Sequence, residues 1–340
     1  MNIRNMNLQL LATQVTTQDS LSAEMKTFYD MRLIDEASPL LVHEQFGQKR
    51  PIPQNGGKTI EFRKFSPLGK ATTALTEGVT PDGNSLTVTK IEATVAQYGD
   101  YIVQSDILEL TAIDNTVLEA TKLLGRQAGL TMDTIVRNAL LTGTNKSYAT
   151  KYVTGTDGKV TATEVTSAKN LDKTAKITVD EIQRVVTKLR SQNAPTINGD
   201  YVCIIHPHVA YDLMRDKEWI DSHKYANPEN LYTGEIGKIA GVRFVQSTEA
   251  KIDKGGSGDP TGLAVYHCLF LGEGAYGVTE ISGGGLQTIV KQKGSAGTAD
   301  PLDQRSSVGW KGLKVAKILI DNYLVDFMCC STYSSSATAN

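Results

Sequence analysis

Cysteine is scarce: Cys203, Cys268, Cys329 and Cys330 are the four in a chain of 340 residues. None is spaced C-x-x-C, and a disulfide between the adjacent pair would be strained. All four are therefore expected to be reduced, small buried hydrophobes. No run approaches the roughly 18 uninterrupted apolar residues of a membrane-spanning helix. The opening MNIRNMNLQLLATQ is too polar for the apolar part of a signal peptide, so folding in a cytoplasm is expected, with no membrane partner. A surplus of charge is missing as well. The formal net charge is −2, which argues against a protein whose main work is gripping phosphates along its whole surface.

Chemistry-bearing motifs are also missing. Asn55-Gly56-Gly57-Lys58-Thr59 looks like the end of a phosphate loop, but Ile52 stands where the first glycine belongs and a strand follows in place of a helix. Gly272-x-Gly274-x-x-Gly277 matches the dinucleotide fingerprint, yet VTEIS continues as a strand, so the pyrophosphate would lack its helix N-terminus. His43-Glu44 opens like a zinc-protease helix, but Gly47 occupies the second histidine position. His206-Pro207-His208 offers two nitrogens with no further ligands nearby in sequence. Asp212, Asp216, Glu218 and Asp221 read as a solvated helix face. There is no G-x-S-x-G elbow. No catalytic site, metal or cofactor is expected.

What is present is a soluble, globular composition, 40% hydrophobic and 21% charged. The length predicts two compact units, or one core with large excursions, at about 150 residues per domain. Residues 1–18 read as a loose arm, followed by a helical stripe through Leu21, Met25, Phe28 and Leu33 that Pro39 ends. LLVHEQFGQKRPIPQNGG reads as an extended arm outside the core. From Lys58 to about Tyr101 the apolar period becomes two, around turn chemistry in SPLGKATTALTEGVTPDGNS. This predicts a hairpin whose arms of about a dozen residues reach roughly 40 Å.

An isolated two-stranded hairpin is marginal in water. Its apolar groups, Ile60, Phe62, Phe65, Leu68, Leu75, Val79 and Leu86, need a cover. Lys58, Arg63, Lys64 and Lys70 face only Glu61 in the same stretch. We expect a neighbouring chain to provide the cover through an acidic surface. The candidate inter-subunit contacts are thus Lys58, Phe62, Arg63, Lys64, Phe65, Lys70 and Leu75.

Asp114 opens a helix predicted to run to Leu141, a spine of roughly 42 Å. Gly125 and Gly129 within it imply a close neighbour. Residues 146–176, rich in Thr, Lys and Ser, read as a surface insertion. Thr178-x-x-Glu181 is a capping box for a helix with Ile182, Val185, Val186 and Leu189 inward. YVCIIH, GVRFVQS and LAVYHCLFLG read as buried strands, and Pro207 as the start of a short helix. GLKVAKILIDNYLVDFMCCS reads as a long apolar strand, and the last residues as a frayed tail. No internal repeat is present.

The strings PLLVHEQFGQKRPIPQNGGKTIEFRKF, LTEGVTPDGNSLTVTKIEATVAQYGDYIVQSD, LGRQAGLTMDTIVRNALLTGTN and GSAGTADPLDQRSSVGWK resemble tailed-phage major capsid proteins of the Hong Kong 97 type, and most closely those typified by the N-four-type podophages. The resemblance implies an α+β fold: an N-terminal arm over 1–57 and an E-loop hairpin over 58–101. A P-domain would span 102–177 with the spine helix at 114–141 and the insertion at 146–176. An A-domain would span 178–307, with a return to the P-domain over 308–332 and a flexible tail at 333–340. It further implies a non-enzymatic homo-oligomer of hexamers and pentamers, closing into an icosahedral head around double-stranded DNA in the bacterial host cytoplasm. Scaffold, portal and decoration proteins are the further partners it would meet. Lys49, Arg50, Lys311 and Lys314 are the residues that would screen packaged charge if they face inward. The competing classes are another shell or tail protein and a two-domain cytoplasmic enzyme.

Overall fold

The structure is a computed structural model. It describes residues 31, 33–37, 40–51, 58–65, 68, 70–75, 77, 78, 80, 83–86, 88–111, 116–154, 157, 159–224, 236–254, 262–280, 286–295 and 300–340. The phosphate-loop-like residues 52–57 and the helical stripe before residue 31 lie outside these.

The spine helix runs Thr116–Leu140, about 37 Å at the usual rise. Its buried stripe, Ala120, Leu124, Ala128, Met132, Val136 and Leu140, follows the helical period. Gly125 and Gly129 have the close neighbour their cost demands. A Cβ at 125 would meet Glu36 Cβ at 3.0 Å, and one at 129 would meet Ala37 O at 2.7 Å. Helical residues 33–37 therefore lie directly on the spine, with Leu33 and Ala37 buried.

Among the described residues the strands form five sheets. The largest orders β5 (Lys146–Tyr148), β17 (Leu324–Cys329), β12 (Ala264–Leu271), β8 (Tyr201–Ile205), β10 (Val242–Gln246) and β9 (Lys238–Ile239), with β11 (Ile252–Lys254) paired to β12. Its β8, β12 and β17 are buried throughout. Helix Val179–Ser191 packs on one face through Ile182, Val185, Val186 and Leu189. The far end of the spine, Val136 and Leu140, joins Ile204, Leu269 and Leu271 in a second cluster.

A second sheet orders β14 (Leu286–Lys291), β15 (Arg305–Lys314) and β4 (Ala96–Ser105). It packs on the spine through Leu286, Val308 and Trp310. A third orders β1 (Gln48–Arg50), β13 (Tyr276–Thr279) and β16 (Ala316–Ile318). Two hairpins complete the set: β2 (Thr59–Phe65) with β3 (Val88–Thr94), and β6 (Lys151–Thr154) with β7 (Val160–Thr163).

Several expectations need correction. Among the described residues the hairpin ladder has seven residues a side, roughly 23 Å. Val95 N donates to Lys58 O at 2.8 Å and closes it, and the chain then leaves as β4 for another sheet, where Tyr98 and Ile102 face the spine cluster. The segment 40–51 is not outside the core. His43 and Glu44 are buried, and β1 adds in parallel to β13. Gly47 permits this, because a Cβ there would stand 2.5 Å from the Tyr276 ring.

The insertion is only partly superficial. It supplies β5 to the large sheet, and Val165, Leu171 and Ala175 to the main core. The apolar run near the C-terminal end is broken at Val315 and by a 3-10 turn at Asp321–Tyr323. Its pieces enter three sheets, with β17 between β5 and β12. Likewise β14 and the start of β15 leave the 178–307 unit to pair beside β4. Residues 333–340 are docked: Ala264 N donates to Ser335 O at 2.9 Å, and Ile252 N to Asn340 Oδ1 at 2.9 Å.

Candidate assembly surfaces

The hairpin root is fixed by its alternation. Ile60, Phe62 and Ala93 point inward and pack with Leu319, while Glu61 and Arg63 stay exposed. Phe62 is fully buried in its own chain. Its ring fills the space a Cβ at Gly277 would need. Phe62 is therefore not available as an inter-subunit contact, because Gly277 of β13 and Leu319 cover it within one subunit. The side chain of Phe65 lies outside the described residues.

Beyond the root the described leucines of the hairpin are uncovered. Leu75 is 77% exposed, Leu86 64% and Leu68 60%. Lys58, Arg63 and Lys70 are exposed and Lys64 is half-buried. Glu61 meets Lys90 at 3.3 Å, an exposed pair of little energetic weight.

The expected acidic partner surface is absent from the spine. The helix carries two carboxylates, Glu119 and Asp133. Asp133 is buried, and Glu119 lies 2.7 Å from Lys122. The chain does expose an apolar patch. On the face of β4, β15 and β14 opposite the spine, Tyr101 and Val103 are 68% and 51% exposed, with Ile289 across from Gly309.

The hairpin stands on a polar joint that sequence reading missed. His43 Nδ1 lies 2.7 Å from Asp133 Oδ2, and His43 N donates to Asp133 Oδ1 at 2.7 Å. Tyr276 Oη donates to His43 O at 2.5 Å. Glu44 pairs with Lys314 at 2.6 Å, and Lys314 Nζ also donates to Thr279 O at 2.9 Å. Lys314 is 1% exposed, so it is no candidate for screening packaged charge, while Lys49, Arg50 and Lys311 are exposed. Burial pulls the Lys314 ammonium below its usual pKa, and Glu44 opposes that. The sequence signal for it is the adjacent pair His43-Glu44, which has no zinc-site partner.

The remaining motifs have structural roles. Gly272 lets Pro195 O approach, and a Cβ there would stand 2.9 Å from it. Gly277 seats Phe62, and the fingerprint it belongs to runs into β13. His206 caps the helix Pro207–Met214, and His208 Nδ1 lies 2.8 Å from Tyr266 Oη. Asp212 is not solvated, since it is buried and accepts from Thr332 N at 2.9 Å. Asp216 Oδ2 accepts from Val179 N at 3.1 Å. Among the described residues no three His, Cys, Asp or Glu groups are placed to hold a metal.

Comparison with known proteins agrees with this architecture. The family model described as phage capsid protein matches residues 87–324. Solved capsids share the fold at low identity. That of cyanophage P-SCSP1u is 13% identical with a TM-score of 0.61, over 97% of this chain and 96% of that one. That of cyanophage Pam1 is 12% identical with a TM-score of 0.62, over 96% and 100%. That of Ralstonia phage GP4 is 15% identical with a TM-score of 0.59, over 84% and 87%. No curated protein matches significantly. The spine helix, the projecting hairpin and the mixed sheet domain are those of the Hong Kong 97-type fold.

Proposed function

The chain belongs to the phage capsid protein family, and from that premise we propose that it is the major subunit of a non-enzymatic, cofactor-free shell. Copies gather into hexamers and pentamers that close an icosahedral head around double-stranded DNA, in the cytoplasm of a bacterial host. Scaffold, portal and decoration proteins are its further partners. Residues 1–57 serve as the arm, 58–101 as the E-loop, 102–177 as the P-domain and 178–307 as the A-domain. Of residues 308–332, expected to return to the P-domain, we keep 308–323 in that role, since β17 pairs within the large sheet.

The observation that carries this reading is the contrast along one hairpin. Its root is locked by Phe62 against Gly277, while Leu68, Leu75 and Leu86 project uncovered. Three exposed leucines on a short ribbon are poorly placed for a free subunit. They suit a subunit whose neighbour covers them. Near-neutral net charge suits a container that must not cling to its cargo. Each contact is small, and repetition over a closed shell multiplies it.

Replacing residues 66–84 by a short Gly-Ser turn tests this. The root ladder should remain and the subunit should fold, but shells should not form in electron micrographs. Normal shells from that variant would sink the reading.

A further inference from the structure

Edge strand β5, helix Val179–Ser191 and residues 164–166 enclose a groove of about 470 Å³. Its lining includes the apolar Val165, Val185 and Phe327 and the hydroxyl-bearing Ser147, Tyr148, Thr150 and Thr166. The charged side chains on it are Lys146, Arg184 and Lys188 against Glu164 and Glu181, one positive charge in surplus. Arg184 and Lys188 are four residues apart and so share a helix face.

Both carboxylates are engaged. Glu181 Oε1 accepts from Thr150 N at 3.1 Å, and Glu164 accepts from the Arg184 guanidinium. Arg184 also donates to Thr150 Oγ1 at 3.0 Å. Lys188 is different. Its Nζ donates to Lys146 O and Ser147 Oγ, both at 3.0 Å. Burial lowers its pKa with no neighbouring carboxylate opposing the shift. An ammonium has three donors, so one N–H remains for a ligand.

Charge balance selects the ligand. One surplus cation suits a monoanion. A phosphate dianion would overshoot it and would find the Arg184 fork, its natural bidentate partner, already occupied. The apolar part of the lining calls for an aliphatic stem. We infer that this groove binds a monocarboxylate with a short aliphatic stem, its carboxylate on Lys188 and its stem over Val165, Val185 and Phe327. This inference does not depend on shell assembly.

The test is equilibrium dialysis of radiolabelled hexanoate against the full chain at neutral pH. One saturable site in the roughly millimolar range is expected, since one ion pair and a short stem are the gains. Lys188→Met should weaken it at least about tenfold, and Lys188→Arg should retain most of it. Thr166→Trp, placed at an exposed lining position, should fill the groove and abolish binding. Hexylamine and inorganic phosphate should not compete. Absence of saturable binding, equal binding by Lys188→Met and Thr166→Trp, or displacement by phosphate would each overturn the inference. Melting curves report whether each variant folds. If Lys188→Met does not, Thr166→Trp and the competition series decide.

Discussion

Phe62 and Gly277 form the seat of the hairpin. The ring of one occupies the volume that any side chain on the other would require, and the register of β1 brings Gln48 opposite the same glycine. The arm, the hairpin and the body therefore meet at one residue.

Gly277→Val should push Phe62 off its seat. Overpacking of this kind costs about 1–3 kcal/mol, whereas Phe62→Ala should cost about 3–5 kcal/mol through a cavity. Chemical denaturation of both variants checks this. A Gly277→Val chain as stable as the parent would show that the contact is slack.

The Glu44–Lys314 pair ties the arm to β15 in a buried site. Lys314→Met leaves a carboxylate without its cation and should cost about 3–5 kcal/mol. Glu44→Leu combined with Lys314→Met removes both charges and should cost much less than the two single losses together. A double-mutant cycle of unfolding free energies decides, and simple additivity would show that the pair is uncoupled.

His267 gives the fold an alkaline limit. It lies 3.0 Å from Asp326 and 3.0 Å from Asp253. Burial alone would lower its pKa, but the hydrogen bonds and charges of the two carboxylates outweigh that and raise it to about 9. Because the folded value exceeds the unfolded one, about 6.5, this stabilisation is complete below the unfolded value and is lost as pH rises through about 9. Melting temperatures from pH 6 to 10 should fall for the parent between about pH 6.5 and 9 and level off above that, and Asp326→Asn should flatten that fall. An identical fall in the variant would assign the limit to other groups.

The thiols should be silent. Cys203, Cys268, Cys329 and Cys330 are buried, and burial pushes the Cys203 thiol well above its usual pKa. Ellman's reagent at pH 8 should find no thiol in the native protein and all four after denaturation. Rapid labelling of the native protein would contradict the packing.

Local signals were well expressed in the sequence. The spine stops one residue earlier than its pattern predicts, and its predicted first residues, 114 and 115, lie outside the described residues. Thr178 caps its helix as the spacing requires, accepting from Glu181 N at 3.4 Å. The resemblance supplied the α+β, Hong Kong 97-type architecture, which periodicity alone could not. Long-range choices were hidden. The alternation of Ile60 and Phe62 marks an apolar face, but not whether the same chain or a neighbour covers it. The apolar run ending in Cys329 gives no sign that its last piece inserts between β5 and β12, because a strand buried on both faces has no alternation to read. His43 and Glu44 look like surface residues until Asp133 and Lys314 arrive from distant segments.

The most direct measurement is cryo-electron microscopy of particles from cells expressing this chain with the other head genes of its phage. Closed icosahedral shells are expected, in which a neighbouring subunit covers Leu68, Leu75 and Leu86. Shells whose hairpin tips stand free in solvent, or a chain that stays monomeric in that setting, would contradict that expectation.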